Sequence, residues 1–187
     1  MKINRALITL LVCALTVVSF ASDAKKEEKK NEMRKMAQDT LQRLYKADPK
    51  AKSAVENAVG YAVFSNMGVK ILVAGSGNGQ GIAVNNKNKS ETFMKMLEVQ
   101  AGLGMGIKKF RVVFVFENEK VCNSFVNSGW QFGGQSTAAA KTGDKGGSLT
   151  GAASVSEGVW MYQLTDKGLA AEISAKSTKY FKDTDLN

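Results

Sequence analysis

The apolar positions of this chain change their period at Gly60. Ahead of it, Lys2 and Arg5 precede an unbroken apolar run from Ala6 to Val18. Met33, Met36, Ala37, Leu41 and Leu44 then recur at three- and four-residue steps, which predicts a helix with one apolar stripe. Asp48-Pro49 interrupts it, because proline disfavours a helical conformation in the residue before it. Ala51, Ala54, Val55, Ala58 and Val59 predict a second helix, with Gly60 as its stop. From Tyr61 onward the period is two. Tyr61 to Phe64, Val69 to Ala74, Phe110 to Phe116, Val159 to Leu164 and Leu169 to Ser174 read as strands. Thr165 to Gly168 is a turn joining the last two, and Gly143 to Gly147 reads as a loop. Asn118 to Ser128 reads as a short helix ended by Gly129.

Glycine follows the same division. All 18 glycines lie between Gly60 and Gly168. Gly75, Gly77, Gly79 and Gly81 alternate, as do Gly102, Gly104 and Gly106. Alternate residues share a strand face, so each run predicts a face without side chains. A dinucleotide fingerprint is excluded by spacing, since Gln80 and Ile107 stand where its third glycine belongs. No Gly-Lys-Ser or Gly-Lys-Thr is present, which removes the phosphate loop as well. What remains is close packing or sharp curvature. The fold class is therefore α+β: N-terminal helices plus a Gly-rich, mostly antiparallel, strongly curved or barrel-like sheet.

The first apolar run stands apart from that domain. It is shorter than the ~20 residues of a spanning helix, and Ser19-Phe20-Ala21 supplies the small residues a signal peptidase recognises. Ser22-Asp23-Ala24 is a second cleavage site. Leu10-Leu11-Val12 before Cys13 lacks the small residue expected beside a lipidated cysteine. The expected organisation is a signal peptide over 1–21, a basic amphipathic helical segment over 22–50 and a domain over 51–187. Export implies a periplasmic or secreted protein, peripheral to a membrane if it binds one. Cleavage leaves Cys122 as the one thiol, with no internal disulfide available and apolar neighbours that suggest burial.

Composition narrows the chemistry. With no histidine, the chain has no imidazole base, nucleophile activator or metal ligand. Glu117, Glu119, Glu157 and Asp166 show no metal-ligand spacing and no assignable acid–base pair. The expectation is no catalytic residue, no metal and no cofactor. Lysine and arginine number 26 against 17 acids, a net charge of +9. Losing Lys2 and Arg5 leaves 24 against 17, or +7. The aromatics form no basic-aromatic platform, so nucleic acid is not the expected partner.

Several motifs in order resemble a known family. Tyr61-Ala62-Val63-Phe64 leads into the Gly-alternating strand. The Gly102-x-Gly-x-Gly segment leads into Phe110-Arg111-Val112-Val113-Phe114-Val115-Phe116, and Phe125-x-x-x-Gly129-Trp130 follows. Together they resemble the SYLF domain over roughly Ala51 to Asn187. Thr178-Lys179-Tyr180-Phe181-Lys182-Asp183 is similar to the close of its exported bacterial branch. The resemblance implies a non-enzymatic domain whose eukaryotic members bind phosphoinositides, and in some cases actin, partly through a basic amphipathic N-terminal segment. An exported chain would not meet actin. The expected partner is an anionic lipid or membrane surface, with a second expectation of an envelope-protein partner and no lipid. Candidate lipid-binding residues form two clusters: Lys29, Lys30, Arg34 and Lys35 on the first helix, and Lys108, Lys109 and Arg111 at the head of the strongest strand. For the helix the alternative is a stripe packed on the sheet, and for the strand a solubilising edge. Trp130 and Trp160 are expected to pack within the sheet.

Overall fold

The computed structural model describes residues 5–71, 74–101, 106–132, 151–166, 168–170 and 177–187. Helix α1 (Arg5–Ala47) runs unbroken past both expected cleavage positions and ends before Asp48-Pro49. Asp48 Oδ1 accepts from Lys50 N at 3.0 Å and so opens α2 (Lys50–Asn57). Strands β1 (Gly60–Ile71), β2 (Ala74–Asn85), β3 (Glu91–Ala101) and β4 (Gly106–Phe116) follow. Helix α3 (Glu119–Ser128) leads to β5 (Trp130–Phe132), then β6 (Ala153–Ser156), β7 (Val159–Thr165), β8 (Gly168–Leu169) and β9 (Ser177–Lys182). All pairings are antiparallel, in the order β5-β9-β3-β2-β1-β4-β7-β6, with β8 beside β7.

The sheet curls into a half-barrel, and ring contacts prove it. Three strands separate β4 from β9, roughly 19 Å in a flat sheet at ~4.8 Å per strand. The rings of Phe114 and Tyr180 are nevertheless 5.0 Å apart, and those of Phe114 and Trp130 5.6 Å apart. The concave face is filled by Phe64, Phe114, Phe116, Phe125 and Tyr180, with Cys122 buried beside them. The convex face carries Val63, Ile82, Val113 and Tyr162 under Met33, Ala37 and Leu44 of α1 and Val55 of α2. Each such large side chain removed from water contributes about 1.5–3 kcal/mol before entropy is charged.

The alternating glycines make the curl possible. Gly81 pairs with Phe64 and Gly79 with Asn66 in the β1–β2 register. A Cβ on Gly81 would lie 2.4 Å from the Phe64 ring, and one on Gly79 would lie 3.2 Å from Met96 Sδ. Strand β2 is therefore a trench into which side chains of β1 and β3 fold. The buried Asn66 amide reaches across it and donates to the buried Glu98 carboxylate on β3.

Several expectations are corrected. Tyr61–Phe64 and the start of Val69–Ala74 are one strand, because pairing with β2 and β4 on both sides carries the backbone through polar Ser65 and Asn66. Gly60 is the first residue of β1 rather than a helix stop, and its missing Cβ leaves room for Val84 O and Cys122 Sγ. Gly129 does cap α3, at φ 71°. The hairpin turn forms, with Gly168 at φ 115°. Its expected second strand is described only as Gly168–Leu169. Residues 171–174, Gly102, Gly104 and the 143–147 loop lie outside the described residues.

Candidate functional site

Helix α1 crosses the convex face because Met33, Ala37, Thr40 and Leu44 lie on one side of it and are buried there. Thr40 is accommodated by donating its hydroxyl to Met36 O at 2.7 Å. The crossing places polar residues of α1 against β4. Arg111 Nη1 donates to Asp39 Oδ2 and, at 3.2 Å, to Thr40 Oγ1. Arg43 Nε sits 3.2 Å from the same Asp39 oxygen. The Arg111 guanidinium, helped by Arg43, holds the Asp39 carboxyl below the ordinary carboxylate range.

Beside this pair lies a recess of about 130 Å³ lined by Arg43, Ser65, Lys109, Arg111, Thr165 and Asp166. Lys109 and Arg111, two apart on β4, share the convex face. Lys109 is exposed, and no carboxylate among the described residues pairs with it. Three cations and the Ser65 hydroxyl, against one acid, surround a small opening that suits an oxyanion, since guanidinium gives bidentate contact and a hydroxyl can donate. The Thr165 hydroxyl instead donates to Gly168 O at 3.1 Å. Lys108 pairs with Gly68 in the β1–β4 register, and its side chain lies outside the described residues.

The other predicted cluster is placed differently. Lys29 Nζ is 3.7 Å from the buried Asp183 carboxylate, which Lys95 also holds at 2.8 Å. Asp183 first and Asp185 second raise the Lys95 pKa. Arg34 bonds Glu91 at 2.9 Å, Glu27 at 2.8 Å and Asn31 at 2.7 Å. These bonds raise its own pKa and lower that of Glu27. Lys30 and Arg34 both lie over the Phe93 ring, at 5.4 and 5.3 Å from its centroid. Lys35 is exposed. Thus Lys29 and Arg34 are engaged in holding α1 to the sheet, and Lys109 and Arg111 meet Arg43 instead of the α1 cluster. Sequence reasoning missed Arg43, because only the crossing of α1 over β4 brings it there. Its one local signal was Asp39 four residues earlier.

Trp130 packs in the concave ring cluster, and Trp160 Nε1 donates to Glu117 Oε1 at 2.6 Å. Burial raises the Cys122 thiol pKa, as expected of a structural thiol. Among the described residues, no three His, Cys, Asp or Glu side chains gather to hold a metal ion.

Residues 97–187 match the family model described as Ysc84, Las17-binding protein actin regulator. The chain belongs to this SYLF family. It is similar to beta cell expansion factor A of Aeromonas veronii, with 32% identity over 151 residues, 81% of this chain. The match spans 56% of that relative's length. The family match begins inside β3, yet β1 and β2 are hydrogen-bonded into the middle of the same sheet. The sheet that holds the matched segment therefore begins upstream of it.

Proposed function

We propose that the protein is a non-catalytic, exported envelope protein that binds anionic lipid or rests peripherally on a membrane. The observation that carries this reading is the recess at Arg43, Lys109 and Arg111, where an exposed lysine that no carboxylate among the described residues pairs with stands beside two guanidiniums. Each cation held near an anionic surface adds about 1 kcal/mol. SYLF membership supports lipid as the partner class. The family description also names an actin regulator, but export would separate this chain from actin. Among the described residues no helix is long and apolar enough to cross a membrane, a statement that does not bear on strands.

The burial of Met33 and Leu44 favours a second reading. With the α1 stripe spent on the sheet, the same surface could serve a protein partner of the envelope. Co-sedimentation with vesicles containing phosphatidylserine, at low and high salt, separates the two. Binding that weakens with salt is the expected outcome. Absence of binding at low salt would sink the lipid reading and leave the protein-interaction module.

A further inference from the structure

The sequence directs attention to α1 as the element that would meet a membrane, but the structure makes α1 a poor candidate. Its apolar stripe faces the sheet, with Met33 and Leu44 fully buried, and Arg34 and Lys29 are occupied by Glu27, Glu91 and Asp183. Insertion would require the stripe to leave its packed site and the Lys29–Asp183, Arg34–Glu91 and Asp39–Arg111 pairs to break.

What α1 leaves bare is more suitable. Two openings flank it on the convex face. One is the recess at Arg43, Lys109 and Arg111; the other is a groove of about 530 Å³ along β3 and β9, walled by Met36, Leu97 and Phe181 and ending at Lys29 and Lys95. Ser65 of β1 lines both, and Leu97 and Lys109 stand in one register row across the sheet, through Asn78 of β2 and Met67 of β1. Among the described residues Leu97 is the exposed large hydrophobic, at 41%. Leu97 shares this groove with the apolar Met36 and Phe181 and with the cations Lys29 and Lys95.

Charge decides the occupant. The two openings carry five cations (Lys29, Arg43, Lys95, Lys109 and Arg111) against Asp166 and Asp183. Asp39 and Asp185 offset part of this through Arg43, Arg111 and Lys95, which leaves the surplus at Lys109. A broad surface with a positive surplus and one projecting leucine is complementary to a flat anionic layer whose interior is apolar. We propose that the bare convex face, through Leu97 and Lys109 with Arg43 and Arg111, is the surface that contacts an anionic bilayer, while α1 stays docked. This rests on the lipid-binding reading and assigns it to a different element from the one the sequence suggests. Leu97 enters the headgroup boundary, and Lys109 and the two arginines meet phosphates.

The test uses the full chain and vesicles of phosphatidylcholine with and without phosphatidylserine. Leu97→Glu and Lys109→Glu alter exposed side chains, and circular dichroism reports whether each variant keeps its fold. Each is expected to weaken binding roughly tenfold or more: Lys109→Glu reverses a charge, worth about two of the single-cation increments, and Leu97→Glu adds one negative charge and removes the apolar side chain that enters the boundary. Lys120→Glu, on α3 at the opposite face of the sheet, is expected to change it less than about threefold. Amide exchange within residues 33–44 is expected to stay unchanged on vesicle binding. Wild-type binding with undiminished affinity in both Leu97→Glu and Lys109→Glu would overturn the inference and leave the lipid reading intact. So would binding lost on Lys30→Glu with Lys35→Glu alone, or faster exchange in residues 33–44. A wild-type chain that ignores anionic vesicles altogether removes the lipid reading itself.

Discussion

A methyl group at Gly81 would stand 2.3 Å from Val63 O and 2.4 Å from Phe64 Cδ1. The first contact is backbone on a paired strand and cannot swing away. Gly81→Ala is therefore expected to destabilise by about 2–3 kcal/mol, measured by urea unfolding. Gly79→Ala would also meet backbone, Ser65 O at 2.7 Å, and should cost less because that approach is looser and Met96 Sδ at 3.2 Å can yield. The alternation of these glycines was legible in the sequence; which side chains would fill the trench was not. Asp39 illustrates the same limit for charge. Its carboxyl is held low by Arg111 and Arg43, so the pair stabilises the fold fully above the carboxyl's unfolded value of about 3.9 and loses that contribution progressively as pH falls from there through the lower folded value. Both partners are partly exposed, so solvent screening limits Asp39→Asn to a loss of roughly 0.2–1 kcal/mol at pH 7. That difference should shrink between pH 5 and 3, and a gap that grows toward acid would contradict the assignment.

At the scale of elements, periodicity identified α2, α3, β4 and β7 and the Met33–Leu44 stretch of α1, because each carries an uninterrupted pattern. It missed β3, in which Phe93, Lys95 and Leu97 alternate with Met94, Met96 and Glu98. The first set meets helix, groove and solvent, while the second enters the core and ends in a buried acid. Mixed faces of this kind blur a period-two signal. The strand's status depends on β2 and β9 flanking it. The α1 stripe was read correctly as one face, and its partner proves to be the sheet. Leu44→Ala should accordingly lower stability by about 2–5 kcal/mol, in the range for a fully buried leucine. A change below 0.5 kcal/mol in thermal or urea unfolding would mean that α1 is not held on the sheet in solution.

For the whole molecule, the division at Gly60 survives as a division between the two N-terminal helices and the sheet half; the sheet wraps one core around α3 while α1 and α2 cover another. The export reading belongs at this scale. N-terminal sequencing of the protein recovered from its natural compartment is expected to begin at Ser22 or Lys25, whereas an intact Met1 would contradict it. Cleavage after Ala21 or Ala24 leaves the side chains of Met33 to Leu44 that anchor α1. The curled topology explains why the candidate site resisted sequence reading. Arg43 stands more than sixty residues from Lys109 and Arg111 and meets them only because α1 crosses β4.

By itself the sequence determined the helical and strand halves, the side-chain-free face of β2, the exclusion of histidine chemistry and the family resemblance. Each of these depends on local composition or spacing. Tertiary structure alone decided which cations are neutralised and which stay free, where the apolar stripe is buried and where a leucine is left exposed. Those outcomes depend on contacts between residues far apart in the chain, and a strand order of β5-β9-β3-β2-β1-β4-β7-β6 cannot be read from any local period.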